Sequence, residues 1–264
     1  MKAKVKAFFS VAVIILLLPL VITAGMKGSS VMAENSVMEN KLELLLPGIL
    51  SATIPSDYEE ETLKAQAVVL RTMLLLSGEN DVEKAAEKLE LPVRREWDAV
   101  YERAVESTEG EVLFYQEELA RPAYHALSTG RTRTSMEATG EEVPYLQAVD
   151  SSWDRECIHY ENLTEETSQK EIVVMDRDSS GYVQRVKYGE EEMTGEEFRK
   201  RLSLPSAAFS VGKRHGKRVL ITKGIGHGLG MSQYGADKIA KEGYDYKRIL
   251  KYYFRGTQVR QFYE

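Results

Sequence analysis

The chain has 264 residues, 43% of them hydrophobic and 29% charged, a balance that suits one large globular domain or two small intimate ones. A net charge of −6 excludes the basic footprint of a nucleic-acid-binding protein. The single cysteine, Cys157, excludes a disulfide framework within the chain.

Lys2, Lys4 and Lys6 precede an apolar run from Ala7 to Ala24. At ~1.5 Å per helical residue the run reaches roughly 27 Å, about one hydrocarbon core. Pro19 inside it is tolerated in membrane helices. Three lysines before the run against Lys27 after it predict N-terminus in, C-terminus out. Residues 1–25 are therefore expected to be cytoplasmic lysines and a single membrane anchor. The alternative is a signal peptide cleaved near Val31, Met32 and Ala33. Either segment exports the rest of the chain, a tether over residues 26–41 and one domain over 42–264.

Leu44 to Ile54 is apolar but interrupted by Pro47 and Gly48, so a short buried segment is expected over Gly48–Ile54. A helix should then begin at Pro55, with Ser56 and Glu59 as a capping box and an acidic first turn. Leu63, Ala67, Leu70 and Leu74 form its buried stripe, and Gly78 ends it. Shorter helices are expected over Val82–Leu89 and over Glu96–Glu106, the latter burying Trp97, Val100 and Ala104. Glu111–Tyr115 reads as a strand, with Ala123–Leu127 as its partner and Ser128–Val143 as a loop. Ile172–Met175 and Tyr182–Lys187 form a hairpin. Helices are expected over Thr194–Leu202, Ser232–Lys241 and Tyr246–Phe254, and a strand over Arg218–Thr222. Helices and strands mix without a βαβ rhythm, so the class is α+β.

Two places concentrate chemistry. In the first, Gly224, Gly226, Gly228 and Gly230 alternate and run into a helix N-terminus beside His227, Ser232, Gln233 and Tyr234. No Gly-Lys-Ser/Thr comes after them, so this is no phosphate loop, and the spacing fails the dinucleotide and nucleophile-elbow patterns. A ligand cleft or a tight strand-to-helix turn with a capping serine remains. In the second, His125 precedes the hydroxyl-rich turn of Ser128, Thr129 and Arg131. Cys157 and His159 are too few to make a metal site, and no cofactor motif is present.

These residues, in this order, resemble the stage II sporulation protein D and amidase-enhancer family. The resemblance rests on Ile54 and Pro55, the LKAQA run from Leu63 to Ala67, Arg71 with Thr72, and Tyr124 with His125. It continues through Ser128 to Thr132, Pro144 to Leu146, Trp153 with Asp154, and GHGLGMSQYGA from Gly226 to Ala236. It implies a bacterial, membrane-anchored protein acting on peptidoglycan, with an α+β fold around a glycan-binding cleft. The implied partners are glycan strands, a partner cell-wall amidase and other sporulation membrane proteins. The implied activity is a lytic transglycosylase that cleaves stem-free glycan. One carboxylic acid protonates the glycosidic oxygen, then takes the proton of the sugar's 6-hydroxyl as a 1,6-anhydro ring closes. By the same resemblance Lys64, Gln66, Arg71, His125, Ser128, Thr129, Arg131, His227, Ser232, Gln233 and Tyr234 are expected to bind substrate.

The chain departs from the family at the acid itself. The family's catalytic glutamate stands one residue before the Ile/Met-Pro pair, and here that position is Thr53. A hydroxyl neither donates a proton at neutral pH as a carboxylic acid does nor forms the conjugate base. Losing general acid catalysis alone removes ~10²–10⁴ in rate. Arg133 and Thr134 replace the usual Thr-Glu-Asn, and Thr139 replaces a tryptophan before Gly140. The sequence leaves three readings: a glycan-binding protein that recruits an amidase, an active enzyme with a displaced acid (Asp57, Glu59, Glu60, Glu61 or Glu137), or a structural relic.

Overall fold

The computed structural model describes residues 39–168 and 170–262. The expected anchor at 7–24 and most of the expected tether lie outside them. Among the described residues no helix is long and apolar enough to cross a membrane.

The first helix, α1, is continuous from 39 to 53, so the break expected at Pro47 and Gly48 does not occur. Magnitudes explain this. A proline inside a helix costs ~3 kcal/mol and a glycine ~1. Leu42, Leu46, Ile49 and Leu50 lie on one face and are fully buried, each worth ~1.5–3 kcal/mol. Gly48 has a packing role as well. A Cβ there would stand 2.5 Å from the Arg94 carbonyl, so only glycine lets the 92–98 segment cross α1 at this point.

Helix α2 (Glu60–Leu76) starts four residues later than Ser56. The expected capping box is absent, and Glu59 caps without a side-chain bond. Its backbone N–H instead donates to Oδ1 of Asp237 at 2.8 Å, so the cap comes from another helix. The predicted stripe of Leu63, Ala67, Leu70 and Leu74 packs into one core with α1, α3 (Val82–Lys88) and α4 (Ala99–Glu106). The opposite face, with Ala65, Val68 and Val69, enters a second core with α7 (Gln233–Lys241) and α8 (Tyr246–Tyr253). A helix apolar on both faces lies between two cores.

Strand β1 (Glu111–Tyr115) forms as expected, but its partners are β2 (Glu118–Leu119) and the C-terminal β11 (Gln258–Gln261). The expected partner, Ala123–Leu127, contributes the short β3 (Tyr124–His125), which pairs in parallel with β10 (Met231–Ser232). Both edges of β1 are thus occupied, and β3 is free to lie against the glycine-rich loop. The loop expected over 128–143 carries a helix, α5 (Ser135–Thr139), with Thr134 and Glu137 as a capping box.

The expected hairpin is β5 (Ile172–Arg177) with β6 (Val183–Tyr188), extended by β7 (Glu191–Thr194). A second sheet runs in the order β4 (Glu161–Glu165), β9 (Lys217–Lys223), β8 (Phe209–Arg214). Helix α6 (Gly195–Arg201) begins at Thr194 in a capping box with Glu197, and it packs Phe198 on Phe209 with ring centres 4.7 Å apart. The arrangement is α+β: a helical half, and a half of small antiparallel sheets.

Candidate functional site

An open groove of about 820 Å³ lies along the C-terminal turn of α1. One wall runs from Ser51 through Thr53 to Asp57; the other is Arg94, Glu96, Trp97, Asp98 and Tyr101. The walls are joined where the Tyr101 hydroxyl donates to the Ile54 carbonyl at 2.7 Å. The helical pattern predicts Trp97 in the core, but here it is only half-buried. Its Nε1 donates to Glu102 at 3.1 Å, and its ring edge rests against Gly48. The indole thus lines the groove together with the carboxylates of Asp57, Glu96 and Asp98.

Thr53 ends α1. Its hydroxyl donates back to the Leu50 carbonyl at 2.9 Å, satisfying one of the helix's last acceptors. Its own carbonyl accepts from Nε2 of Gln233 at 3.0 Å. The Tyr124 phenol also bonds the Thr53 side chain, and burial pushes its pKa up to about 12. Tyr124 lies on β3 and Gln233 opens α7 directly after β10, so the short parallel ladder delivers both to Thr53.

One residue along the same strands lies a buried polar network. Asp154 is fully buried and accepts from the Ser128 N–H at 2.8 Å and from the Ser232 hydroxyl at 2.9 Å. Burial raises its pKa to about 6, against the pull of these bonds. The Ser232 hydroxyl meanwhile caps α7 by accepting from Gly235 N at 3.2 Å. A Cβ on Gly235 would fall 2.3 Å from Ser151 Oγ and 2.4 Å from the Tyr253 hydroxyl, so this packing requires glycine.

Leu229 is held between two histidines. Its carbonyl accepts from His125 Nδ1 at 3.1 Å, and its N–H donates to His227 Nδ1 at 3.1 Å. Burial lowers His125 to about 3, helped by His227. His227 falls to about 4 through burial and the charges of Arg199 and Arg133. Both rings are neutral at pH 7 and in opposite tautomers. The glycines, expected to admit a ligand, admit the protein's own chain. Gly230 has φ +75°, and a Cβ there would meet the Ala123 carbonyl at 2.0 Å; at Gly228 it would meet the Tyr182 ring at 2.4 Å.

The expected site residues therefore divide. Thr53 lines the groove, and Gln233 touches it through a backbone carbonyl. His125, Ser128, Ser232 and His227 order the glycine-rich loop and the start of α7. Tyr234 is half-buried, its ring facing the Lys238 ammonium. Lys64 is paired with Glu60 and Glu61 on its own helix. Gln66 is wholly buried, with neither amide atom hydrogen-bonded. Arg71 is fully buried, with Glu43 on Nε and on one terminal nitrogen and the Glu111 carbonyl on the other. Thr129 and Arg131 lie on the turn beyond β3, with Arg131 exposed. Asp154 and Trp97 are not among the site residues the sequence predicts. Among the described residues no three His, Cys, Asp or Glu side chains group as metal ligands.

The fold and groove define an α+β protein whose N-terminal helices, through the α1 terminus and the 92–98 crossing, shape an open polar groove with one indole. A family model described as Stage II sporulation protein matches residues 32–115, the stretch that contains both walls of that groove. The chain is 31% identical to Stage II sporulation protein D of Bacillus subtilis (strain 168), over 87% of this chain and 77% of that protein. It is 26% identical to Stage II sporulation protein D of Bacillus amyloliquefaciens, with the same coverage of 87% and 77%. It is also 26% identical to the Amidase enhancer of Bacillus subtilis (strain 168), over 82% of this chain but 40% of the enhancer. The chain belongs to the stage II sporulation protein D family.

Proposed function

We propose that this protein binds peptidoglycan glycan strands in the groove at Thr53 and has lost most or all of the lytic transglycosylase activity implied by the family resemblance. The observation that carries the reading is the position of Thr53. It forms part of the wall of a groove furnished with an indole and three carboxylates, yet its hydroxyl is tied to the Leu50 carbonyl. A group so placed binds or positions but does not protonate a leaving oxygen. The relatives' names, Stage II sporulation protein D and Amidase enhancer, support a role in cell-wall remodelling during sporulation, with a cell-wall amidase as partner. In this reading residues 1–25 anchor the chain in the cell membrane, the residues from 26 up to the start of α1 at 39 tether it, and the domain from α1 onward stands outside against the wall. Anchoring supplies effective concentration, so weak intrinsic affinity suffices.

A second reading has one observation in its favour: Asp57, Glu96 and Asp98 line the same groove as Thr53, so an acid from the groove could act in its place. Incubation of the full chain with purified stem-free glycan strands separates the two. Retention of strands without new 1,6-anhydro ends by mass spectrometry is the expected result. Abundant anhydro ends, abolished by Glu96→Gln, Asp98→Asn or Asp57→Asn, would establish the second reading instead.

A further inference from the structure

A second groove, of about 550 Å³, opens among the small sheets and shares no residue with the groove at Thr53. Its lining includes Arg155, Arg177 and Lys223 and no carboxylate, in a chain whose net charge is −6. All three cations are exposed, while Phe209 and Ala208 between them are buried and Ile221 half-buried. The cations are differently held. Arg177 is fixed by the Gly181 and Phe209 carbonyls at 2.9 and 2.7 Å. Arg155 lies over Gly130 with Nε on the Thr129 carbonyl at 3.4 Å, and its guanidinium also bonds the Tyr160 hydroxyl, with donors to spare. Among the described residues the Lys223 ammonium has neither an ion pair nor a side-chain hydrogen bond. Its cross-strand neighbour Glu161 is exposed and makes no ion pair with it. Asp178, next to Arg177 in sequence, is already paired with Arg133. The Tyr160 and Thr129 hydroxyls are spent on the Thr129 and Ser180 carbonyls, at 2.9 and 2.7 Å. The donors left over are the Arg155 guanidinium, the Lys223 ammonium and the exposed Ser210 hydroxyl, two of the three cationic.

We propose that this groove binds a short peptide bearing a free carboxylate. The carboxylate meets the terminal edge of Arg155 and the Lys223 ammonium, and the aliphatic part lies on Ala208, Phe209 and Ile221. Arginine's planar fork matches a carboxylate edge, and an ammonium adds a point charge. The apolar floor favours a peptide over a phosphodiester polymer, which would leave Phe209 and Ile221 without apolar contact. The inference is independent of the glycan reading.

The test is calorimetric titration of the full chain in neutral detergent with N-acetyl-alanyl-glutamyl-alanine, its fully amidated counterpart and glycerol phosphate. The acidic tripeptide should bind, weaken as salt rises, and lose about tenfold or more in affinity with Lys223→Glu. Lys223→Ala, at an exposed side chain, should show a smaller loss with unchanged thermal unfolding. Equal binding of the amidated peptide, no binding of the acidic one, or binding of glycerol phosphate alone would overturn the proposal. The last result would assign the groove to a phosphate polymer. Retention on stem-free glycan is expected to be unaltered by either Lys223 variant, so the two readings fail separately.

Discussion

The side-chain amide of Gln233 donates to the backbone carbonyl of Thr53 across 3.0 Å, joining residues 180 apart in the chain. The contact satisfies an acceptor at the C-terminus of α1 with the first residue of α7. It ties the helical half that carries the groove to the ladder of β3 and β10. The same logic appears in reverse at α2, whose N-cap N–H is taken by Asp237 of α7. Helix α7 therefore fixes both ends of the segment from Thr53 to Glu59, which forms most of one groove wall.

Arg71 acts as a structural clamp. Its guanidinium is fully buried, with a two-point contact to Glu43 and one to the Glu111 carbonyl. Arg71→Met leaves the Glu43 carboxylate without a cation, held only by the Gly110 N–H, and should cost ~3–5 kcal/mol in urea unfolding. Glycan retention per folded molecule should not change. Full stability with lost retention would make Arg71 a ligand contact instead.

Gly235→Ala should destabilise by ~1–3 kcal/mol, because its methyl meets Ser151 Oγ at 2.3 Å and the Tyr253 hydroxyl at 2.4 Å. Both belong to a packed, buried cluster with Asp154 and cannot both retreat. Thermal unfolding checks this, and a variant as stable as the parent would show that the cluster is loose.

Acid should weaken the fold through His125. Its folded pKa of about 3 lies below the ordinary 6.5, so only the unfolded chain takes up the proton as pH falls below 6.5. Stability present above pH 6.5 is progressively lost toward pH 3, by ~2 kcal/mol at pH 5 from this residue. Asp154 acts oppositely: its raised pKa of about 6 adds stability as pH falls from 6 toward 3.8. His125→Asn keeps a donor for the Leu229 carbonyl but does not titrate. Comparing the two proteins at pH 7 and 5 isolates the histidine. The variant should lose ~2 kcal/mol less than the parent over that interval.

Trp97→Ala should weaken glycan retention by about tenfold, the worth of one lost stacking face with its buried area. The indole also packs against the α1–α4 core, so stability falls as well and retention is compared per folded molecule. Unchanged retention would remove the indole from the site.

Much of this fold is legible in local sequence, and the exceptions share a cause. Thr194 with Glu197 opens α6 and Ser232 opens α7 as their capping patterns require. The α2 stripe is readable because the 3.6-residue period is local. Ser56 looks equally like a cap but loses to Asp237, which only tertiary structure brings near. Helix α1 hides behind Pro47 and Gly48 because its compensation is burial against distant helices. Strand β4, with its largely polar run from Glu161 to Glu165, exists through pairing with β9. The site obeys the same rule. Thr53 is identifiable by its place before Ile54 and Pro55, but Trp97 is a groove residue only because the 92–98 segment crosses α1 at Gly48. The alternating glycines correctly mark a close approach: the approaching group is the segment from Ala123 to Ser128 at Gly224, Gly226 and Gly230, and the Tyr182 ring at Gly228. Asp154 needs burial to become unusual, and burial is not written in two neighbouring letters.

The most direct test of glycan binding without catalysis is Thr53→Glu in the full chain, read as 1,6-anhydro ends released from stem-free glycan strands. Turnover in the variant should exceed the parent's by at least ~10²-fold, since the missing element is one carboxylic acid in an otherwise furnished groove. A correctly folded Thr53→Glu protein that retains glycan but yields no anhydro ends would contradict this, as would a parent chain that already releases them at the variant's rate.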